Sequence, residues 1–172
     1  RDNDFVSMLT RLKEQERPDV VALAGLTVEP ALITKQARDI GFNVPIVGGT
    51  ATRNETYLQM AGGAAEGVLL QATFFPDSPN PTAREFAAKF KERFGKYPGD
   101  GGPEAYDAFQ VLKAAIEAGA TRETLADKIR EIGKFHGATG EITWDEKGAR
   151  KSMTTYFLKV QNGDFTLYKT LD

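Results

Sequence analysis

Residues 45–52, PIVGGTAT, are the stretch from which the rest of this 172-residue chain is interpreted. Pro45-Ile46-Val47 form a short apolar strand, and Gly48-Gly49 end it. Two glycines let the backbone turn sharply and approach a ligand closely. Thr50 and Thr52 place hydroxyl groups just beyond the strand. Ligands of open parallel sheets bind at the carboxyl ends of strands, so this stretch is either a ligand-facing strand end or an ordinary connecting loop.

Apolar strands flank this stretch on both sides. Residues 20–24, VVALA, form a continuous apolar run that is typical of a strand buried on both faces of a parallel sheet. Residues 68–72 form a third strand, and amphipathic helices precede and separate the three strands. The first 72 residues therefore read helix, strand, helix, strand, helix, strand, which predicts an α/β layered sheet with right-handed crossovers.

The pattern changes after residue 72. Residues 73–81, TFFPDSPNP, contain three prolines and predict a stiff, extended segment. Thr82 and Glu85 then have the spacing of a helix capping box. A later helix is predicted over residues 104–118, and residues 135–144 are expected to be a loop that enters a strand. The helix is expected to bury Ala105, Ala108, Phe109, Leu112 and Ile116. Asn162-Gly163 is the strongest hairpin signal in the chain.

Composition limits the classes of function. The formal net charge is −2 and no basic run occurs, which argues against nucleic acid as a partner. No apolar run approaches membrane-spanning length. The chain has no cysteine, which excludes disulfides, thiol nucleophiles and cysteine-based metal sites. It begins at Arg1 without a Met, so we expect a piece of a longer protein, and the lack of a signal peptide does not argue against export.

Groups with catalytic or cofactor chemistry are sparse. His136 is the single histidine, and no nucleophile motif accompanies it, so a structural or surface role is expected. The glycine-rich residues 62–67 precede a strand, whereas a dinucleotide loop follows one. Residues 145–148, DEKG, offer too few ligands for a calcium loop and predict a turn. We therefore predict no catalytic residue, no cofactor and no metal, and a protein that is not an enzyme.

Two strand ends remain as candidates for a binding site. Gly25-Leu26-Thr27 and Gly49-Thr50-Ala51 follow neighbouring strands and offer small side chains, hydroxyl groups and backbone groups. The predicted ligand-binding residues are Leu26, Thr27, Gly49, Thr50 and Ala51. Together they form one lip of a cleft, and a small-molecule site of this kind needs a second wall.

A series of short phrases runs along essentially the whole chain. They are Asp4-Phe5 with Leu9, Leu12 and Lys13; Pro18-Asp19-Val20-Val21; Gln36-Ala37-Arg38 with Gly41; Gly48-Gly49; Ala61-Gly62 with Ala65-Glu66-Gly67-Val68; Tyr106-Asp107-Ala108; residues 137–142; and Trp144-Asp145-Glu146-Lys147-Gly148. In this order the series resembles the second half of a type I periplasmic solute-binding protein of the leucine/isoleucine/valine-binding family, the extracellular ligand-binding receptors of ABC transporters.

The resemblance implies a three-layer αβα fold of the periplasmic-binding-protein-like type I class, incomplete, with parts of two lobes. Residues 1–73 and 152–172 would belong to the second lobe, and residues 82–148 to the C-terminal part of the first lobe. Residues 74–81 and 149–151 would cross between the lobes. Such a protein binds a small organic ligand in the inter-lobe cleft and delivers it to an ABC transporter permease. It is periplasmic, or exported and membrane-anchored.

Two positions depart from the family's amino-acid-binding pattern. Leu26 stands where an aromatic residue is common, and Thr50 stands where an acidic residue neutralises the ligand ammonium. A buried ammonium needs a countercharge, which Thr50 cannot supply, although Glu29 or Asp107 could substitute. From the resemblance we therefore expect the ligand to be a branched-chain amino acid or a related carboxylate, and an aromatic acid without an ammonium fits better.

Two alternatives stay open at this point. The same fold could serve as the ligand-sensing domain of a receptor or regulator, or the chain could be an α/β enzyme with a catalytic group at Thr27 or Thr50. A sheet that lacks its first strands exposes an edge and apolar helix faces. We therefore also expect a homodimer, with segments exchanged between the copies.

Overall fold

A computed structural model describes residues 3–99, 101–151 and 153–171. Five residues of the segments predicted from the sequence lie outside the described residues: Arg1, Asp2, Asp100, Ser152 and Asp172. The helices are α1 (Val6–Arg11), which continues as a π-helical turn (Leu12–Glu16), α2 (Val28–Asp39), α3 (Glu55–Ala61), α4 (Pro81–Phe94), α5 (Gly102–Glu117) and α6 (Leu125–Ile132). The strands are β1 (Val21–Leu23), β2 (Ile46–Gly48), β3 (Leu69–Ala72), β4 (Lys134–Gly137), β5 (Gly140–Thr143), β6 (Thr155–Gln161) and β7 (Asp164–Leu171).

The chain forms two compact units. Unit 1 contains the described residues up to Ala72 together with Tyr156–Thr170, and unit 2 contains Thr73–Thr155 together with Leu171. The limits predicted for the second lobe, residues 1–73 and 152–172, differ from those of unit 1 by a few residues, whereas unit 2 also includes residues 74–81 and 149–151, which were predicted to cross between lobes. The assignment of lobes stays a prediction.

Unit 1 is built on a five-stranded sheet in the order β1-β2-β3-β6-β7. The first three strands are parallel, and β6 pairs antiparallel with β3. The predicted alternation of helix and strand over the first 72 residues, and the mixed α/β class, are thereby confirmed. Asn162 and Gly163 adopt φ angles of 53° and 76°, as a tight β6–β7 hairpin turn requires.

The core of unit 1 packs between the sheet and helices α2 and α3. Ile46, Val68 and Leu70 are fully buried on the strand side, and Tyr57 is fully buried on α3. The Tyr57 hydroxyl lies 3.1 Å from Thr34 Oγ1, so the phenol has a hydrogen-bond partner in the core. Burial raises the pKa of Tyr57, and the bond to Thr34 and the positive charge of Arg38 oppose that rise.

The prediction that residues 20–24 are buried on both faces is wrong. Leu23 is buried, but Ala22 is exposed and Val20 is 50% exposed. The reason is position, because β1 is an edge strand of the sheet and one of its faces is uncovered by the part of the chain that the structure describes.

Unit 2 combines helices α4, α5 and α6 with a β4–β5 hairpin. Residues 135–144 were predicted as a loop entering one strand, whereas they contribute to two paired strands joined at Ala138-Thr139. Asn80, not Thr82, caps α4, since its side chain accepts the Thr82 N–H at 3.0 Å. Pro81 occupies the first helical position, so the cap lies two residues earlier in the chain than the predicted Thr82.

Helix α5 buries the opposite face from the one predicted. Its buried residues are Pro103, Asp107, Val111 and Ala115, while Phe109 is 75% exposed and Ile116 is 61% exposed. The spacing of apolar residues identified an apolar face correctly, but among the described residues the helix packs through the other side. The apolar face formed by Ala105, Ala108, Phe109, Leu112 and Ile116 is called the α5 face below.

Candidate functional site

The predicted binding residues lie at one edge of the unit 1 sheet. Leu23 at the end of β1 is in register with Gly48 at the end of β2, in parallel pairing. The segments that follow these two strands therefore start side by side. The strand-end lip is defined as Leu26, Thr27, Gly49, Thr50 and Ala51, and the structure brings the segments of both strand ends together within unit 1.

Asn54 ties the two segments of the lip together. Its Nδ2 donates to Thr27 Oγ1 at 3.0 Å and to the Ala51 carbonyl at 2.9 Å. Its Oδ1 accepts the Tyr57 N–H at 2.9 Å and thereby caps α3. Sequence reasoning missed Asn54, although an Asn directly before a helix start is a favoured N-cap. The tie across 27 residues had no local signal.

The two adjacent glycines at the end of β2, Gly48 and Gly49, have different surroundings. A Cβ on Gly48 would lie 2.6 Å from Leu70 Cδ2 and 3.3 Å from Thr52 Oγ1, so the neighbouring side chains of unit 1 would have to shift to admit one. A Cβ on Gly49 would have nothing within 4 Å. Gly49 also has φ −77° and ψ 178°, which any residue can adopt. Neither packing nor backbone conformation within the described residues explains Gly49.

The lip presents hydroxyl groups that can still donate. Thr27 Oγ1 accepts the Asn54 amide, which leaves its own proton available. Thr27 directly precedes α2, but its side chain makes no capping bond, because its backbone is already helical. Thr50 is half-buried and begins a short 3₁₀ turn, Thr50–Thr52. Leu26 is 66% exposed, and Ala51 is exposed.

The lip carries no ionisable side chain, and one of the two proposed substitutes is committed elsewhere. Asp107 is 2% exposed in unit 2 and accepts three hydrogen bonds, from Ala138 N, Thr139 N and Thr139 Oγ1. It is therefore a buried structural acceptor, not a free countercharge for a ligand ammonium. Glu29 lies in the first turn of α2, directly after the β1 segment of the lip.

The remaining predicted features have plain positions. His136 is exposed on β4, on a strand where a loop was predicted. The turn at residues 145–148 is confirmed by a hydrogen bond from Gly148 N to the Asp145 carbonyl at 3.0 Å. Within residues 3–99, 101–151 and 153–171, no three His, Asp or Glu side chains are grouped to hold a metal. No helix in those ranges has the length and apolar character needed to cross a membrane.

Comparison with known proteins gives a consistent family. The sequence model of the family described as periplasmic binding protein matches residues 1–164. A Leu/Ile/Val-binding protein homologue of Brucella suis is 32% identical over 158 residues, which are 87% of this chain and 40% of that protein. A leucine-, isoleucine-, valine-, threonine- and alanine-binding protein of Pseudomonas aeruginosa is 31% identical over 173 residues, 98% of this chain and 42% of that protein.

A solved structure agrees with the sequence comparison. The crystal structure of the leucine-binding protein LivK of Thermotoga maritima matches with a TM-score of 0.90 and 34% identity, over 99% of this chain and 49% of that chain. The chain thus spans less than half the length of the relatives it matches. The resemblance inferred from the order of short phrases is confirmed, as is the incomplete type I periplasmic-binding-protein fold. The chain belongs to the periplasmic binding protein family.

Proposed function

We propose that this chain is part of the solute-binding component of an ABC importer and that it binds a small organic ligand without catalysing a reaction. The strand-end lip carries the proposal, because it combines open space at Gly49 with hydroxyl groups on Thr27 and Thr50. Membership of the family supports it, as do relatives named for binding branched-chain amino acids. The lip supplies one wall of the ligand site.

The chemistry of the lip favours a ligand carboxylate. Hydroxyl groups such as those of Thr27 and Thr50 donate hydrogen bonds, and carboxylate oxygens only accept them. The lip has no acidic residue, and Asp107 is fully occupied by the β4–β5 turn. A buried ammonium without a countercharge is costly. We therefore propose a carboxylate without an α-ammonium, such as an aromatic acid, ahead of a branched-chain amino acid.

The partner and the location follow from the same proposal. A solute-binding component delivers its ligand to an ABC transporter permease, and we place this protein in the periplasm, or exported and anchored to the membrane. Residues 1–73 with 152–172 and residues 82–148 remain the proposed parts of two lobes. Ligand binding would shift an equilibrium between open and closed arrangements of the lobes.

A second copy of this chain is a further proposed partner. Phe109 and Ile116 of the α5 face are exposed, and a cavity of about 440 Å³ adjoins the face, lined by Ala108 and Leu112 together with Ile129, Ile142 and Trp144. Apolar surface of this kind is stabilised by contact with another apolar surface. Light scattering of the 172-residue chain should therefore give the mass of a dimer, and the mass of a monomer at micromolar concentration would contradict the proposal.

Titration calorimetry of the protein at the full length of its relatives tests the ligand site. L-leucine and benzoate are the probes, because they differ in the α-ammonium. We expect benzoate to bind and leucine to bind at least tenfold more weakly. Tight leucine binding without benzoate binding would overturn the proposed ligand class.

Variants of the lip test where the ligand binds. Gly49→Val fills the open space, and Thr50→Val removes a hydroxyl with little change of shape. Each should weaken binding of the preferred probe at least tenfold. Gly63→Val is the control, because Gly63 is exposed and, like Gly49, has nothing within 4 Å of an added Cβ. Unchanged affinity in both lip variants would show that the lip is not the site.

A further inference from the structure

Three polar side chains converge on the turn of the β4–β5 hairpin, residues 137–139, called the anchor turn below. Asn80 Nδ2 donates to the Gly137 carbonyl at 2.8 Å. The carboxylate of Asp107 accepts the N–H groups of the next two residues of the turn at 2.6 and 2.8 Å. The guanidinium of Arg150 donates to Thr139 Oγ1 at 2.9 Å and to the Thr139 carbonyl at 3.0 Å.

Asp107 contacts the anchor turn through hydrogen bonds and close packing. A buried carboxylate is costly unless hydrogen bonds satisfy it, and Asp107 receives a third bond from the Thr139 hydroxyl at 2.6 Å. A Cβ on Gly137 would lie 2.4 Å from the Asp107 carboxyl carbon, so no side chain fits at that position. Helix α5 therefore holds the turn through both hydrogen bonds and close packing.

The Thr139 hydroxyl links Arg150 to the same carboxylate. It donates to Asp107 Oδ2 and accepts from Arg150 Nη1, so one side chain joins the two charged groups. Arg150 also reaches the Glu141 carbonyl at 3.0 Å. Burial lowers the pKa of Arg150, and the negative charges of Asp107 and Glu104 oppose that effect.

The segment at residues 74–81 is held at both of its ends. Thr73, directly before it, donates a hydrogen bond from its hydroxyl to the carboxylate of Glu104, and Thr73 is buried. Glu104 lies three residues before Asp107 on α5, on neighbouring positions of the helix surface. Asn80, near the end of the segment, is bonded to the anchor turn. Arg150 lies in the second connecting segment, residues 149–151.

We propose that α5 and the anchor turn form a hinge anchor that fixes both connecting segments, residues 74–81 and 149–151, to unit 2. Asp107, Thr139 and Arg150 are its positioning residues. Conformational change along the chain is then confined to the unit 1 side of Thr73 and of Arg150. The inference rests on the proposed function only in treating these segments as crossings between two lobes.

Distance measurements between spin labels test the anchor without any ligand. The chain has no native cysteine, so one cysteine can replace exposed Gln59 in unit 1 and another exposed Ala126 in unit 2. Double electron–electron resonance then gives the distribution of label distances. Thr139→Val, which removes the linking hydroxyl, should broaden that distribution at least twofold. Lys151→Ala is the matched control, because the Lys151 side chain is exposed in the same segment and should leave the width unchanged.

Hydrogen exchange on α5 in the same samples separates a released anchor from an unfolded unit 2. Protected α5 amides together with the parent width in Thr139→Val would overturn the proposal. If Thr139→Val unfolds unit 2, Arg150→Lys decides, because an ammonium keeps the charge but cannot span the Thr139 and Glu141 carbonyls as the guanidinium does. Broadening with Arg150→Lys supports the anchor, and the parent width overturns it. Solute binding plays no part in this readout, so its failure in calorimetry leaves the anchor standing.

Discussion

Replacing each of the adjacent glycines at the end of β2 by alanine should separate folding from binding. A Cβ at Gly48 would lie 2.6 Å from Leu70 Cδ2, whereas carbon atoms pack best at about 3.5 to 4.0 Å. Roughly 1 Å of space must therefore open. Leu70 is fully buried and pairs with Gly48 across β2 and β3, so its side chain would have to shift within the core of unit 1.

The expected cost follows from two opposing effects. Overpacking of a closed core costs about 1 to 3 kcal/mol. Alanine also restricts the unfolded chain, which returns roughly 0.4 to 1 kcal/mol. We expect Gly48→Ala to destabilise unit 1 by about 1 to 2 kcal/mol, a factor of about 5 to 30 in the unfolding equilibrium. Gly49→Ala meets no atom and keeps an allowed backbone, so its stability should be unchanged or slightly raised.

Hydrogen–deuterium exchange of the β3 amides measures this difference within unit 1. Gly48→Ala should exchange about 5 to 30 times faster than the parent, and Gly49→Ala no faster. Equal exchange in the two variants would refute the reasoning, since it would mean that Leu70 moves aside at no cost. The experiment also decides whether a binding defect in a Gly49 variant can be attributed to the lip and not to unfolding.

Three further predictions concern single side chains. Asn54→Ala removes the α3 cap and the hydrogen bond to Thr27, so urea denaturation should show that the free energy of unfolding falls by about 1 to 2 kcal/mol. The control, Asn43→Ala at an exposed position, should change it by no more than about 0.5 kcal/mol, and equal losses in the two variants would contradict the role of Asn54. Burial raises the pKa of Tyr57 in the folded protein, so the stabilising effect of the neutral phenol is complete below the usual tyrosine pKa near 10 and is lost as the pH rises through the folded pKa. Tyr57→Phe should flatten that alkaline loss of stability in urea midpoints measured from pH 8 to 11, and an equal loss in parent and variant would contradict this prediction. Phe109→Glu places a charge on the α5 face and should shift sedimentation from dimer to monomer, whereas an unchanged dimer would exclude this face as the interface.

Hydrophobic pattern predicted unit 1 well because its elements are local and repetitive. The strands at residues 46–48 and 69–72 are short apolar runs that end at glycines or polar residues, and the helices between them have clear apolar faces. The hairpin at Asn162-Gly163 was predictable because Asn and Gly readily adopt the left-handed backbone conformations that a two-residue turn requires. Each of these signals is contained within a few residues.

The β4–β5 hairpin was missed because its turn is fixed from a distance. Ala138-Thr139 is not a favoured turn pair, and its N–H groups are satisfied by Asp107, more than 30 residues earlier in the chain. The same contact explains the error on α5. Periodicity located an apolar face, but a polar residue, Asp107, marks the face that packs against the turn within unit 2.

The sequence predicted that the two strand ends of the lip lie side by side, but it did not identify the residue that links them, and ligand binding at the lip stays a prediction. The lip followed from a general rule for the carboxyl ends of parallel strands, so Thr27 and Thr50 were proposed as binding residues without knowledge of their contacts. Asn54 was missed because its importance lies in a bond to Thr27 across the sheet edge. A rule that reads neighbours along the chain cannot identify a residue that joins two strand ends.

The position of Asp107 also sharpens the argument about the ligand. Of the two carboxylates that could have replaced an acid at Thr50, Asp107 already accepts three hydrogen bonds in unit 2 and would have to give up buried partners to face a ligand. Leaving those N–H groups unsatisfied costs about 1 to 3 kcal/mol each. A ligand ammonium would therefore depend on Glu29 or on a wall of the site other than the lip. If leucine nevertheless binds tightly and Glu29→Gln leaves that affinity unchanged, the countercharge must come from that other wall.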